Sequence, residues 1–101
     1  MQGHDGEKLL VGQWVAVAYD KTFYIGKILS LANDQTIKID FLWKRKDGAF
    51  KWPRPKDIDI VSSKYVFCSL VNVEQKGTDF LVNQFDRVEY KYKLYQKKYM
   101  L

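Results

Sequence analysis

This sequence predicts a small, mainly β domain: a five-stranded barrel with a C-terminal strand and an α-helix as an extension. Three observations carry that expectation. Apolar segments of period two recur about every ten residues, short polar turns separate them, and only the last segment has helical period. A chain of 101 residues, 47% apolar and 16% aromatic, amounts to one domain and is rich enough to bury a core. Its 2 prolines and 6 glycines form no biased tract, and no internal repeat is visible. The expected layout is a flexible tail at 1–10, the barrel at 11–61 and an extension at 62–101 packed on it.

Gln13 to Tyr19 alternates and is rich in valine and aromatics, which fits a first strand with Val15, Val17 and Tyr19 on one face. Asp20-Lys21-Thr22 is a polar turn. Phe23 to Leu31 is a second strand, and Gly26 within it marks a bulge or a bend where another strand comes close. Ala32 to Gln35 supplies the next turn. Thr36 to Phe41 is the cleanest alternation, with Ile37, Ile39 and Phe41 on a buried face. Asp47-Gly48 between two aromatic-containing runs signals a hairpin. Its return strand, Ala49 to Trp52, stops at Pro53 and Pro55, which lack the N–H a ladder needs. Lys56 to Val61 reads as a polar turn running into the closing strand, and Lys64 to Val73 as a further strand before a break at Gly77-Thr78-Asp79. In the last segment Phe85, Val88, Tyr92, Tyr95 and Tyr99 recur at helical spacing with lysines on the other faces, so the stripe is expected to pack on the barrel. Asn83 is placed to cap this helix, and Glu89 and Lys93 are placed for an i,i+4 ion pair.

Several classes of function are disfavoured. No apolar run approaches the roughly 20 residues of a membrane-spanning helix, and the first residues lack a signal peptide's basic and apolar regions, which points to an intracellular protein. Cys68 sits in a strand and reads as a small buried hydrophobe; with His4 it makes too few soft ligands for zinc. Neither a nucleophile-base pair nor a phosphate-binding glycine loop stands out, and Asp57 and Asp59 read as solvated acids. The expectation is a non-enzymatic, monomeric binding protein without cofactor or metal.

Aromatic residues are the better lead. Tyr19, Tyr24, Phe41 and Phe50 sit at strand ends that a barrel would bring to one rim. Such rings either pack as core or stand open as a cage, whose faces attract a methylated ammonium. The segments Val11–Tyr19, Phe23–Ile28, Ile37–Phe41, Gly48–Phe50 and Lys56–Ile58 resemble the Tudor domain pattern of SH3-like barrels, with spacing similar to the Tudor domains of Polycomb-like proteins. That resemblance implies a cage of Tyr19, Tyr24, Phe41 and Phe50 for methylated lysine on a histone tail or another methylated protein, hence a nuclear, chromatin-associated role. Asp20 and Asp40 are the acidic residues expected to flank the cation.

A competing reading comes from charge. The chain carries +5 overall, and Lys44, Arg45, Lys46, Lys51, Arg54 and Lys56 are interleaved with Trp43, Phe50 and Trp52. Cations would meet phosphates while rings stack on unpaired bases or line a groove, which makes the hairpin a candidate nucleic-acid-binding surface, DNA among its possible ligands, resembling those of integrase-type or transposon-derived SH3-like modules. Trp52 serves equally well as a plug against the C-terminal extension. A third reading is an assembly module that binds protein through the helix stripe or an exposed barrel edge.

Overall fold

The computed structural model describes residues 8–32 and 35–99. Most of the expected tail, His4 included, and Asn33 and Asp34 of an expected turn lie outside the described residues. The fold is mainly β, with two antiparallel sheets and one helix. In chain order the elements are β1 (Trp14–Tyr19), β2 (Thr22–Leu31), β3 (Thr36–Phe41), β4 (Trp43–Lys44), β5 (Phe50–Lys51), β6 (Asp57–Ser62), a 3-10 turn (Ser63–Tyr65), β7 (Val66–Cys68), β8 (Val73–Lys76), β9 (Asp79–Val82) and α1 (Phe85–Tyr99).

The first sheet has the order β6-β3-β2-β1-β7. Its two edge strands are joined by the three residues of the 3-10 turn. In a flat sheet those edges would lie about 19 Å apart, four strand spacings. The four steps from Ser62 to Val66 reach at most about 15 Å, and less in a 3-10 turn. The sheet must therefore curl, and it does so in a barrel-like way. The Ser62 hydroxyl caps the turn by accepting from the Lys64 N–H at 3.4 Å, and the Ser63 N–H donates to the Gln35 carbonyl at 2.7 Å.

Curling gives the sheet an inside and an outside, and each holds a core. Inside are Leu9, Val15, Val17, Ile28, Ile37, Ile39, Phe41 and Val66. Outside, Ala16, Ala18 and Ile25 meet residues of the second sheet and the helix, among them Phe50, Phe80, Val88, Tyr92 and Tyr95. The alternation of β1 thus buries both of its faces, valines inward and alanines outward, and the small alanines let the second layer come close.

Gly26 sits where β2 crosses β3, paired with Phe41. A Cβ there would overlap Ile39 Cγ2 and stand 3.0 Å from the Asp40 carbonyl oxygen and from Phe41 Cδ1. The expected close approach is present. The register shift lies a few residues further on, between Ile28 and Ser30.

Differences from expectation concentrate after residue 42. The hairpin β4–β5 belongs to the second sheet, order β4-β5-β9-β8, while β6 takes its place beside β3. Gly48 turns the hairpin with φ of 94°, assisted by Asp47 Oδ1, which accepts from the Ala49 N–H at 3.1 Å. The strand expected over 64–73 is only Val66–Cys68: its pairing with β1 carries a register shift and ends at Cys68, after which a single bond from the Val71 N–H to the Trp14 carbonyl at 3.1 Å still holds the segment to β1. The break expected at Gly77 is present as a turn: with φ of 63° Gly77 turns the hairpin β8–β9. Asn83 does not cap α1. Its side-chain amide donates to Asn72 Oδ1 at 3.2 Å, and the helix starts from Gln84, whose carbonyl accepts from the Arg87 N–H at 3.0 Å.

The helix packs through its aromatic stripe, with Val88, Tyr92 and Tyr95 buried. The Tyr95 hydroxyl donates to the Lys64 carbonyl at 3.0 Å, tying α1 to the 3-10 turn. The buried Tyr92 hydroxyl has no hydrogen-bond partner among the described residues. Burial pushes the ionisation of both tyrosines upward, and for Tyr95 the neighbouring Tyr65, Tyr99 and Tyr92 add to it. Cys68 is buried and free.

Candidate functional site: an aromatic, acidic cleft

Strand register builds the site. Tyr24 is opposite Val17, Tyr19 ends β1 two residues later, Phe41 pairs with Gly26, and Asp57 pairs with Phe41. Side chains directly opposite one another share a face, and those two apart on one strand also share it. Tyr19, Tyr24, Phe41 and Asp57 therefore form a diagonal row across β1, β2, β3 and β6, on the concave face at one end of the curled sheet. The rings meet edge to face, with Tyr19 to Tyr24 at 6.1 Å and 61° and Tyr24 to Phe41 at 6.3 Å and 73°. Tyr19 is 58% exposed, Tyr24 is 38% exposed, and Phe41 closes the inner core beneath them.

This row borders a cleft of about 700 Å³, bounded on its far side by β4, β5 and the first turns of α1. All four expected rings line it, on unequal terms. Phe50 is buried and packs on Phe85 at 5.8 Å, so it forms part of the outer core at the cleft floor. The additional open ring is Trp43, 53% exposed, whose indole Nε1–H donates to Asp57 Oδ2 at 3.2 Å.

The acidic residues differ from those expected. Asp40 faces away from the row, buried, with Oδ2 accepting from Lys56 Nζ at 2.9 Å. Asp20 is an exposed turn residue with φ of 51° and does not line the cleft. Asp57, Asp59 and Glu89 line it instead, against one cation, Lys44. Lys44 Nζ lies 4.6 Å from the Phe85 ring centroid. No ion pair joins Glu89 to Lys93 among the described residues. The prolines at 53 and 55 suggested a turn, yet Asp57, Asp59 and Val61 alternate as strand residues. That alternation alone would have turned Ile58 and Ile60 inward, yet these are the exposed residues and the acids take the concave face, so the sequence carried no signal for this placement.

The basic residues gather around a second cleft of about 710 Å³, whose lining includes Arg45, Lys51, Trp52, Arg54, Lys56 and Asp79. Arg45 is bonded to Asp47 at 2.9 Å and to Asp79 at 3.0 Å, and Lys56 to Asp40. Among the described residues Lys46, Lys51 and Arg54 form no ion pair. Trp52 is a plug: it stacks on Trp14 at 5.8 Å and 25°, meets Phe80 at 5.4 Å, and carries Lys56 Nζ 4.7 Å from its ring centroid.

No family model, curated protein or solved structure matches this chain.

Proposed function

We propose that this chain is a non-enzymatic binding module that takes a methylated lysine side chain, on a histone tail or another methylated protein, into the aromatic cleft. The observation that carries this reading is the diagonal row of Tyr19, Tyr24, Phe41 and Asp57, with Trp43 held to the same carboxylate. Ring faces and carboxylates both favour a cation. Methylation removes the N–H groups that hold water around an ammonium but leaves its charge, so transfer onto aromatic faces costs less for the methylated form. The excess of acids over cations in the lining favours the same ligand. A nuclear, chromatin-associated setting is part of the proposal. The assembly reading has less support at the helix stripe, because Phe85, Val88, Tyr92 and Tyr95 pack into the outer core.

The test is calorimetric titration of the whole chain with a peptide carrying trimethyllysine and with its unmodified twin. The methylated peptide is expected to bind more tightly, with the preference lost in Tyr24→Ala. Equal affinity for the two peptides would remove the proposal.

A further inference from the structure

We propose that the second cleft is a separate site for the phosphate backbone of duplex DNA. Four cations line it against one carboxylate, and that carboxylate, Asp79, is bonded to Arg45. Arg45 and Lys56 are thereby committed to Asp47, Asp79 and Asp40, which leaves Lys51 and Arg54 in the cleft and Lys46 at the hairpin tip to neutralise a ligand.

The spacing of these cations favours a backbone over a single phosphate group. Lys51 pairs with Trp43 in the hairpin, and Lys46 sits in the turn beyond Arg45, which is itself two strand steps, about 7 Å, further along. A lone phosphate is held by converging donors. Separated cations suit a line of successive phosphates, where each neutralised charge releases counterions.

The rings argue against unpaired bases. Single-stranded nucleic acid gains affinity by stacking on open aromatic faces. The aromatic residues lining this cleft are Trp52 and Phe80. Trp52 already has Trp14 stacked on it and Lys56 over its ring, and Phe80 is buried. Contacts here are to phosphates alone, so binding is independent of sequence. The chain's +5 charge favours the same ligand.

The experiment is fluorescence anisotropy of the full chain with a short mixed-sequence duplex, across a series of salt concentrations. Three neutralised phosphates give a slope of log affinity against log salt of about −2.7, and a loss of about fortyfold between 50 and 200 mM. The double variant Lys51→Ala/Arg54→Ala should bring the slope to about −0.9. Both residues are exposed, and an unchanged thermal melt confirms that the variant folds. Tyr24→Ala should leave duplex binding unaltered, which separates this site from the aromatic one. A slope unmoved by the double variant, no duplex binding at low salt, or tighter binding of a single strand or a phosphopeptide than of the duplex would overturn the proposal.

Discussion

The two clefts have nearly the same size, about 700 and 710 Å³, share one short hairpin in their linings, and are chemical opposites. In the first, Tyr19, Tyr24 and Trp43 are open and acids outnumber cations. In the second, the rings are covered and cations outnumber acids. In sequence, residues 43–56 read as one surface that mixes rings and basic groups. Folding divides them: Trp43 goes to the acidic side beside Asp57, while Trp52 becomes a plug whose neighbouring cations stay outside. Local density of a residue type therefore says less about a ligand than which face each ring is left on.

The largest expected effect breaks the comparison from one side. Gly26→Ala puts a methyl group into Ile39 at the crossing beneath Phe41. Overpacking of that kind costs about 2 kcal/mol or more, read as a fall of roughly 10 °C in a thermal melt. Retention of the wild-type melting temperature would show that β2 and β3 do not cross so closely.

Tyr24→Ala comes next, because Tyr24 is the middle ring of the row. Removing a ring that contacts a desolvated cation costs about 2 kcal/mol, or about thirtyfold in affinity for the methylated peptide. A smaller change is expected from Asp57→Asn, which keeps an acceptor for the Trp43 indole and removes only charge. About a fivefold loss on the methylated peptide, roughly 1 kcal/mol, is the expectation, with none on duplex DNA. An equal loss on both ligands would mean that the clefts are not electrostatically separate.

The last effect is on stability alone and concerns a residue that lines neither cleft. Tyr92→Phe deletes a buried hydroxyl without a partner among the described residues and should raise stability by about 1 kcal/mol in chemical denaturation. The same residue sharpens the pH dependence. Burial raises the ionisation of Tyr92 and Tyr95 in the folded state, so the folded form binds protons that unfolded tyrosines release near pH 10. Their contribution is complete below about pH 10 and is lost as pH rises through the raised values. Tyr92→Phe should make that alkaline loss shallower; an unchanged profile would place the titration elsewhere.

Much of the fold was legible because period-two alternation is unambiguous where one face is buried. Thr36–Phe41 has the bounds its alternation predicts, and the spacing of Val88, Tyr92 and Tyr95 identified the packed face of the helix. The later strands were less legible, being short and dependent on pairings distant in sequence. Val66–Cys68 has three residues and finds its partner fifty positions earlier in β1, and β9 is placed by a single pairing of Phe80 with Phe50. For the site, Tyr19, Tyr24 and Phe41 lie side by side, as strand ends on one face of a curled sheet do. Whether Phe50 or Trp43 would be the open ring depended on the second sheet, which the spacing of residues 43–50 does not specify. Asp40 does not flank the rings because the same alternation that turns Ile37, Ile39 and Phe41 inward puts it on the opposite face of β3.

The most direct measurement compares a trimethyllysine peptide with an isostere in which the quaternary nitrogen is replaced by carbon, giving a neutral tert-butyl group of the same shape. If rings and carboxylates in the first cleft attract a cation, the charged peptide binds at least tenfold more tightly. Equal binding of the two would mean that the cleft takes only apolar bulk, and the electrostatic account of it would be wrong.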